Sequence, residues 1–316
     1  MSTEINHYKV NNWNGKPYNF FGDYLWKKFN CRVLKLPINA HLGCPNRDGT
    51  VSTKGCIFCS EEGSASPTTS GIQDIQQQMK NARESFIRSD TLTKYIAYFQ
   101  AYTNTYASPD ILKNLFDTAL SGDDIVGLMI GTRPDCLPDE ILSLLHSYQR
   151  DNFEFWLEIG MQSIHDTSLH LLNRGHTYHQ TRDAVMRAAD YGLNMCLHVI
   201  LGIPGENWDM MMETAHEISK LPVQGVKLHH LHVIKNTILE EMYNTSEFEP
   251  IGFRTYISYL CDFIERLRQD ILIHRLMGDR SEDTLIAPKW GLHKGTVLNA
   301  IDDEFKKRGS FQGLLL

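Results

Sequence analysis

The sequence predicts an α/β protein, a partial (βα)6 TIM-like barrel with N- and C-terminal extensions. Between residues 30 and about 232, short β-rich runs alternate with helical patterns, as in βα units around a parallel sheet. Six such units fall short of the eight that close a full barrel. The first 30 residues and the last 80 break the alternation. The expected division is therefore an extension over 1–30, a barrel core over 31–235, and a C-terminal α/β extension over 236–316 that covers the barrel.

The strands are expected at Val33–Ile38, Tyr95–Gln100, Ile125–Gly131, Phe153–Gly160, Asn194–Leu201 and Gly225–Leu231. Helical patterns fall between them at 72–88, 109–121, 138–150, 166–173, 178–191 and 207–220. Ser108-Pro109-Asp110 and Leu137-Pro138-Asp139-Glu140 place proline and acids in a first helical turn, where a missing N–H is harmless and the dipole favours negative charge. Tyr191-Gly192 supplies a glycine stop before the fifth strand. In the tail, 252–269 reads as an amphipathic helix, Ile271–Arg275 as a short strand and 297–308 as a helix, all additions over the open side of the barrel. SASPTTSG (64–71) reads as a loop.

Composition excludes several classes. The chain of 316 residues is 42% hydrophobic and 22% charged, ordinary for a soluble globular protein. The polar start MSTEINHYKV has no apolar segment of a secretory leader, and no apolar run approaches the roughly 18 residues needed to span a bilayer. The expectation is a cytoplasmic protein with no membrane partner. A net charge of −7 argues against a general nucleic-acid coat. Two local basic groups stand out, Lys27, Lys28, Arg32 and Lys35 near the start, and Lys289, Lys294, Lys306, Lys307 and Arg308 near the end. Each reads as a possible groove lining or as a solvated face.

The strongest chemical signal is Cys44-x11-Cys56-x2-Cys59, directly after the first strand. In an α/β barrel that loop lies at the C-terminal mouth, where active sites are built. Three thiolates there can hold three irons of a [4Fe–4S] cluster and leave the fourth open. Gly43, Gly49 and Gly55 permit the tight turns such a loop needs. Zinc is the rival, with His41 as a fourth ligand. Cys31, Cys136, Cys196 and Cys261 are scattered; Cys136, Cys196 and Cys261 read as small buried hydrophobes, although Cys136 follows a strand into the mouth.

The run NAHLGCPNRDGTVSTKGCIFC resembles the cluster loop of the YhcC/YtqA-like subgroup of radical S-adenosylmethionine (SAM) proteins. The resemblance continues through YFQAYTNTYA (98–107), GTRPDCLPDEIL (131–142), LEIGMQSIHDTSLHLLNRGH (157–176), HVILGIPGE (198–206), GVKLHHLHVIKNT (225–237) and LIAPKW (285–290). It implies a barrel of the radical SAM type, a [4Fe–4S] cluster on Cys44, Cys56 and Cys59, and SAM on the open iron. It also implies one-electron cleavage of SAM to a 5′-deoxyadenosyl radical, and an electron donor such as flavodoxin or ferredoxin.

The GMQS…NRG frame is similar to that of the oxygen-independent coproporphyrinogen enzymes and the Elongator catalytic subunit, where the residues matching Gln162 and Arg174 contact SAM. An Arg fork can take a carboxylate bidentately and Gln can bond ribose hydroxyls; helix capping and backbone satisfaction are the structural alternatives. His198 falls where the coproporphyrinogen enzymes carry a SAM-binding aspartate. A Gly-Gly-Glu stretch that receives the SAM amino group is replaced by Gln100-Ala101-Tyr102-Thr103, so that Gln100 and Thr103 take its place. Gly131 stands where related families have a glutamate. Gly202, in Ile200–Pro204, is expected to present backbone to adenine, or else to form an ordinary turn. Alternation sends His230 and His232 to one face and His229 to the other, so at most two converge.

The subgroup is linked to tRNA wobble-uridine modification, taking a carboxymethylaminomethyl side chain towards an aminomethyl or methylaminomethyl one. The resemblance thus implies tRNA as a partner, with Tyr102, Tyr106 and Trp290 as candidate stacking residues. A radical SAM enzyme on a small metabolite or peptide, and a non-catalytic iron–sulfur or zinc scaffold, are the competing readings.

Overall fold

The computed structural model describes residues 13–316 except 64 and 87–91. The polar start, the first residue of the 64–71 loop and the last two residues of the helix expected over 72–88 lie outside the described residues. In chain order the elements are α1 (Phe21–Phe29), β1 (Arg32–Ile38), α2 (Ile75–Phe86), β2 (Thr93–Phe99), α3 (Pro109–Ala119), β3 (Ile125–Thr132), α4 (Asp139–His146) and β4 (Glu154–Gln162). They continue with α5 (Asp166–Leu171), α6 (Tyr178–Asp190), β5 (Met195–Leu201), α7 (Trp208–Ile218), β6 (Gly225–His230), β7 (Val233–Ile234) and α8 (Ile238–Asn244). The last are α9 (Phe253–Ile264), β8 (Leu272–Arg275), β9 (Leu285–Ala287) and α10 (Lys294–Arg308).

The strands form one curled parallel sheet in the order β1-β2-β3-β4-β5-β6-β8, and β7 pairs with β9 in a separate antiparallel ribbon. Every residue of β4 is buried, as befits the middle of a sheet covered on both faces. Alternation sends Leu128, Ile130, Leu157, Ile159, Leu197 and Val199 into the outer core beneath the helices. Met129, Trp156 and Cys196 point inward with Ile96 and Tyr98. The segment Ile271–Arg275, expected to cover the open side, lengthens the sheet: Leu272 and Ile273 pair with Gly225 and Val226 of β6.

The N-terminal extension holds a helix that the sequence pattern did not announce. The backbone N–H of Ile273 donates to Asn19 O at 2.7 Å, and Phe20 forms a parallel bridge to Ile273. Phe21 then stacks on His274 with centroids 3.8 Å apart and meets Trp156 edge-on. The Tyr24 hydroxyl donates to buried Glu154 at 2.8 Å, and Lys28 pairs with the same carboxylate. Helix α1 therefore plugs the lower end of the open barrel and joins its two edge strands, β1 and β8. Truncating Phe21 to alanine would cost about 3–5 kcal/mol, the range for a buried aromatic. Among the described residues no helix is long and apolar enough to cross a membrane.

Candidate active site at the barrel mouth

The cysteine loop leaves β1 and is tied down by α5. Buried Asn46 donates to Asn173 O at 2.6 Å, Asn173 donates to Gly55 O at 2.6 Å, and Ile57 N–H donates to Leu172 O at 3.1 Å. Arg47 donates from one nitrogen to the carbonyls of Cys59 and Ser60 at 2.8 and 2.7 Å. These bonds hold Cys44, Cys56 and Cys59 on the wall of one cavity of about 1230 Å³. All three thiols are free. Burial and the neighbouring Cys56 push the Cys59 thiol up, against the pull of Arg47 and Arg280; a metal or cluster displaces such a proton.

The three thiols do not form a ready-made tetrahedral site. Tetrahedral zinc with bonds of about 2.3 Å brings sulfurs within roughly 4 Å of each other. Among the described residues only Glu158, Cys196 and His274 have ligand atoms all within 4.8 Å of one another; the three loop cysteines are spread more widely. That spread fits a polynuclear group. His41 is exposed, its Nε2 bonded to Ile72 O at 2.9 Å. The Glu158 cluster is a poor cation site, because Lys227 and His198 already occupy its carboxylate.

Beside the thiols the cavity is lined by Gln100, Thr103, Gln162, Arg174 and His198. Thr103 Oγ1 and Gln162 Oε1 are buried with no hydrogen-bond partner among the described residues, so each offers an oxygen to whatever fills the cavity. Gln162 ends β4 at φ +70°, where the β4–β5 register shifts. Gly160 makes room for it: a Cβ there would lie 2.9 Å from Arg174 Nη2 and 3.0 Å from Gln162 Nε2. Arg174 donates to Gly160 O at 2.9 Å, Cys56 Sγ at 3.2 Å and His176 Nε2 at 3.2 Å. Three of the five guanidinium N–H groups are thus engaged, leaving one on each terminal nitrogen.

Other sequence-predicted residues lie elsewhere. Gly202 does not line the cavity; it turns the chain after β5 at φ +81°, and a Cβ there would press on Ile251 at 3.1 Å. Tyr102 lines the wall, its hydroxyl bonded to Glu61 O, whereas Tyr106 bonds Thr50 at 3.0 Å outside it. Trp290 stacks on His230 with centroids 4.1 Å apart, in the packing behind the strand ends. His230 and His232 do converge, with Nε2 atoms 2.7 Å apart, and His232 lines the cavity together with His229. Cys136 is buried off the cavity, and burial pushes its thiol up to about 12. The basic groups separate too. Lys294 reaches the cavity rim, whereas Arg308 is spent on Asp262, Glu265 and Glu304 at the far end of α10.

Sequence reasoning missed the charged layer inside the barrel. Glu158 Oε2 accepts from the Tyr98 hydroxyl at 2.6 Å, Lys227 Nζ at 2.7 Å and His198 at 2.8 Å, and Lys35 Nζ lies 3.6 Å from Oε1. Burial opposes the charge on Glu158, but Lys227, Lys35 and His198 hold it well below the usual carboxylate range. Burial lowers Lys227 to about 8 against the attraction of Glu158. His198 is lowered to about 4 by burial and then by Lys227, and is therefore neutral. The available signal was a charged residue at an inward position of otherwise apolar strands, Lys35 in RVLKLPI and Glu158 in EFWLEIGMQ.

Comparison with known proteins bears on what this mouth is for. Residues 39–218 match the radical SAM superfamily, and 223–307 match the radical SAM C-terminal domain. The chain is 37% identical to YtqA of Bacillus subtilis, an uncharacterized protein, over 94% of this chain and 92% of that one. A local similarity of 35% identity over 129 residues joins it to the tRNA uridine(34) acetyltransferase of Methanocaldococcus infernus, covering 40% of this chain and 23% of the relative. The fold superposes on the Elp3 structure from the same archaeon with a TM-score of 0.65 at 18% identity, over 89% of this chain and 64% of the other. Proteins of the radical SAM superfamily bind a [4Fe–4S] cluster and SAM. This chain belongs to the radical SAM superfamily and, within it, to the YhcC/YtqA-like subgroup.

Proposed function

We propose that this radical SAM enzyme holds its cluster through Cys44, Cys56 and Cys59 and modifies the wobble uridine of tRNA, taking a carboxymethylaminomethyl side chain towards an aminomethyl or methylaminomethyl one. The observation that carries the assignment of the mouth is the convergence of three free thiols with the unpartnered oxygens of Thr103 and Gln162 on one cavity. The cofactors, when bound, supply a one-electron route to hydrogen abstraction. The chain supplies the rest. The two spare N–H groups of Arg174 receive a carboxylate, Gln162 and Thr103 receive hydroxyl or amino donors, and His198 meets the ribose as a neutral imidazole. Gln100 contributes beside Thr103, and Gly202 acts only by shaping the turn after β5. Radical SAM enzymes need a reductant; a flavodoxin or ferredoxin is the proposed donor.

The tRNA substrate is supported by the subgroup resemblance and by the local similarity to a tRNA uridine(34) acetyltransferase. A uridine entering this cavity has to be splayed from the anticodon loop, and Tyr102, which lines the wall, is the proposed stacking partner. The net charge of −7 favours the competing reading, a small metabolite. One comparison separates them. Cells lacking the gene should accumulate carboxymethylaminomethyl-uridine in tRNA, and the reduced protein should form 5′-deoxyadenosine from SAM. An unchanged nucleoside profile across growth conditions rejects tRNA as the substrate.

A further inference from the structure

Strands β6 and β8 pair in step at Gly225–Leu272 and Val226–Ile273, but the next partners are Lys227 and Arg275, so β8 carries one extra residue there. A bulge re-aims the side chains around it. Strict alternation after inward-facing His274 would turn Arg275 away from the barrel interior; with the bulge, both residues line the cavity. Arg275 arrives without a counter-charge. No ion pair joins its guanidinium to any described acid, and its Nε is buried with no hydrogen-bond partner. Its charge reaches Tyr98, His198, His229 and Lys227, all on the inner face.

The acid nearest this layer is already used. Glu158 is saturated by Tyr98, His198 and Lys227, with Lys35 close by. Three cations, Lys35, Lys227 and Arg275, therefore face one carboxylate, and the floor of the cavity carries an excess of two positive charges. The guanidinium of Arg275, half-buried on the cavity wall and joined to no described acid, presents a fork shaped for two parallel bonds to an oxyanion. We infer that Arg275 receives an oxyanion of the substrate, a carboxylate or a phosphate, and thereby fixes which molecule is accepted. Arg275 sits on the edge strand β8, whereas Arg174 contacts Cys56 of the cysteine loop. The inference rests on the cavity being the substrate chamber of this radical SAM enzyme.

Titration of the anaerobically reconstituted, full-length protein with acetate and with inorganic phosphate tests it, with acetamide as the uncharged control. At least one anion should bind saturably and acetamide should not. Arg275→Gln should weaken that binding about tenfold or more, as expected for loss of a charge-assisted bond. Arg275→Lys, which keeps the charge, should retain a larger share of the affinity, so that a general folding defect is told apart from loss of the anchor. Preference for acetate assigns a carboxylate, and preference for phosphate assigns a phosphate. Equal anion binding by Arg275→Gln, or no saturable binding at all, overturns the inference. So does a selective loss of SAM affinity in Arg275→Gln, which would make the anion the carboxylate of SAM itself. Because anion binding is read without turnover, its failure leaves the tRNA reading intact, and an unchanged tRNA profile leaves the anion site intact.

Discussion

Replacing Glu158 by glutamine tests whether the charged layer is a structural keystone. The carboxylate is fully buried and is the only acid that Lys227, Tyr98 and His198 contact through described hydrogen bonds. Glutamine keeps the shape but removes the charge, leaving Lys227 desolvated and facing an amide. Removing one partner of a buried ion pair costs about 3–5 kcal/mol, because the remaining charge is uncompensated. The exposed Lys113–Asp117 pair on α3 gives the scale on the other side: an i,i+4 surface pair contributes about 0.3–0.5 kcal/mol. Anaerobic denaturant unfolding, followed by ellipticity, should show Glu158→Gln losing several kcal/mol and Asp117→Asn almost nothing. Adding Lys227→Met should restore part of the loss, so that the double variant is less unstable than the sum of the two single changes. A cost below about 1 kcal/mol for Glu158→Gln, or strict additivity with Lys227→Met, would refute the argument that this pair compensates its own burial.

Other expectations follow from the same geometry. Cys44→Ala, Cys56→Ala and Cys59→Ala should each abolish the iron–sulfur chromophore on reconstitution, while Cys31→Ala, Cys196→Ala and Cys261→Ala keep their iron; full loading without Cys56 would overturn the ligand assignment. Arg174→Ala should weaken SAM binding by about 1.5–3 kcal/mol, the range for a bond to a charged group, with a smaller loss for Gln162→Ala. Because Arg174 also donates to Cys56 Sγ, its loss should shift the reduction potential of the cluster, which an electrochemical titration reads. Acid should destabilise the fold through buried histidines. His176, His198, His230 and His232 are lowered by burial to about 2, 4, 2 and 3 from 6.5. Below pH 6.5 the unfolded chain therefore binds protons that the folded chain refuses, and stability falls with pH by roughly 1 kcal/mol per histidine per pH unit down to about pH 4. A flat stability between pH 6.5 and 5 would show that these rings are protonated in the folded state.

Much of the sheet was legible because a buried parallel strand has a local signature, a short β-branched run between helical patterns. All six expected strands occur, with no end shifted by more than two residues. Gln100, for example, falls just past β2, where the chain bends towards the cavity. The place of Ile271–Arg275 in the sheet was not legible, because four residues do not say which distant edge they join. Nor was α1, whose inward stripe is only Phe21 and Leu25 and whose start has no capping side chain. At the site, the cysteine spacing stood out because the ligands are close in sequence. The layer of Lys35, Tyr98, Glu158, His198 and Lys227 takes single residues from five strands, and only their inward register brings them together. Arg275 was hidden more deeply, since the bulge that turns it inward breaks the alternation from which a face is read.

The strap between Pro17–Asn19 and Gln312 sets an order of events in synthesis. Pro17 O accepts from Gln312 N–H at 2.8 Å, Asn19 N–H donates to Gln312 Oε1 at 2.9 Å, and Ile273 N–H reaches Asn19 O. Asn19 thus finds its partner Gln312 only after 293 further residues have followed. Until then α1 has no second edge to close against, and the barrel stays open beneath the cysteine loop. Contacts this far apart along the chain are the slow ones to form. The cysteine loop emerges long before the floor under it can be sealed, so a nascent chain passes through a stage in which three thiols are present and the chamber that will shelter them is not.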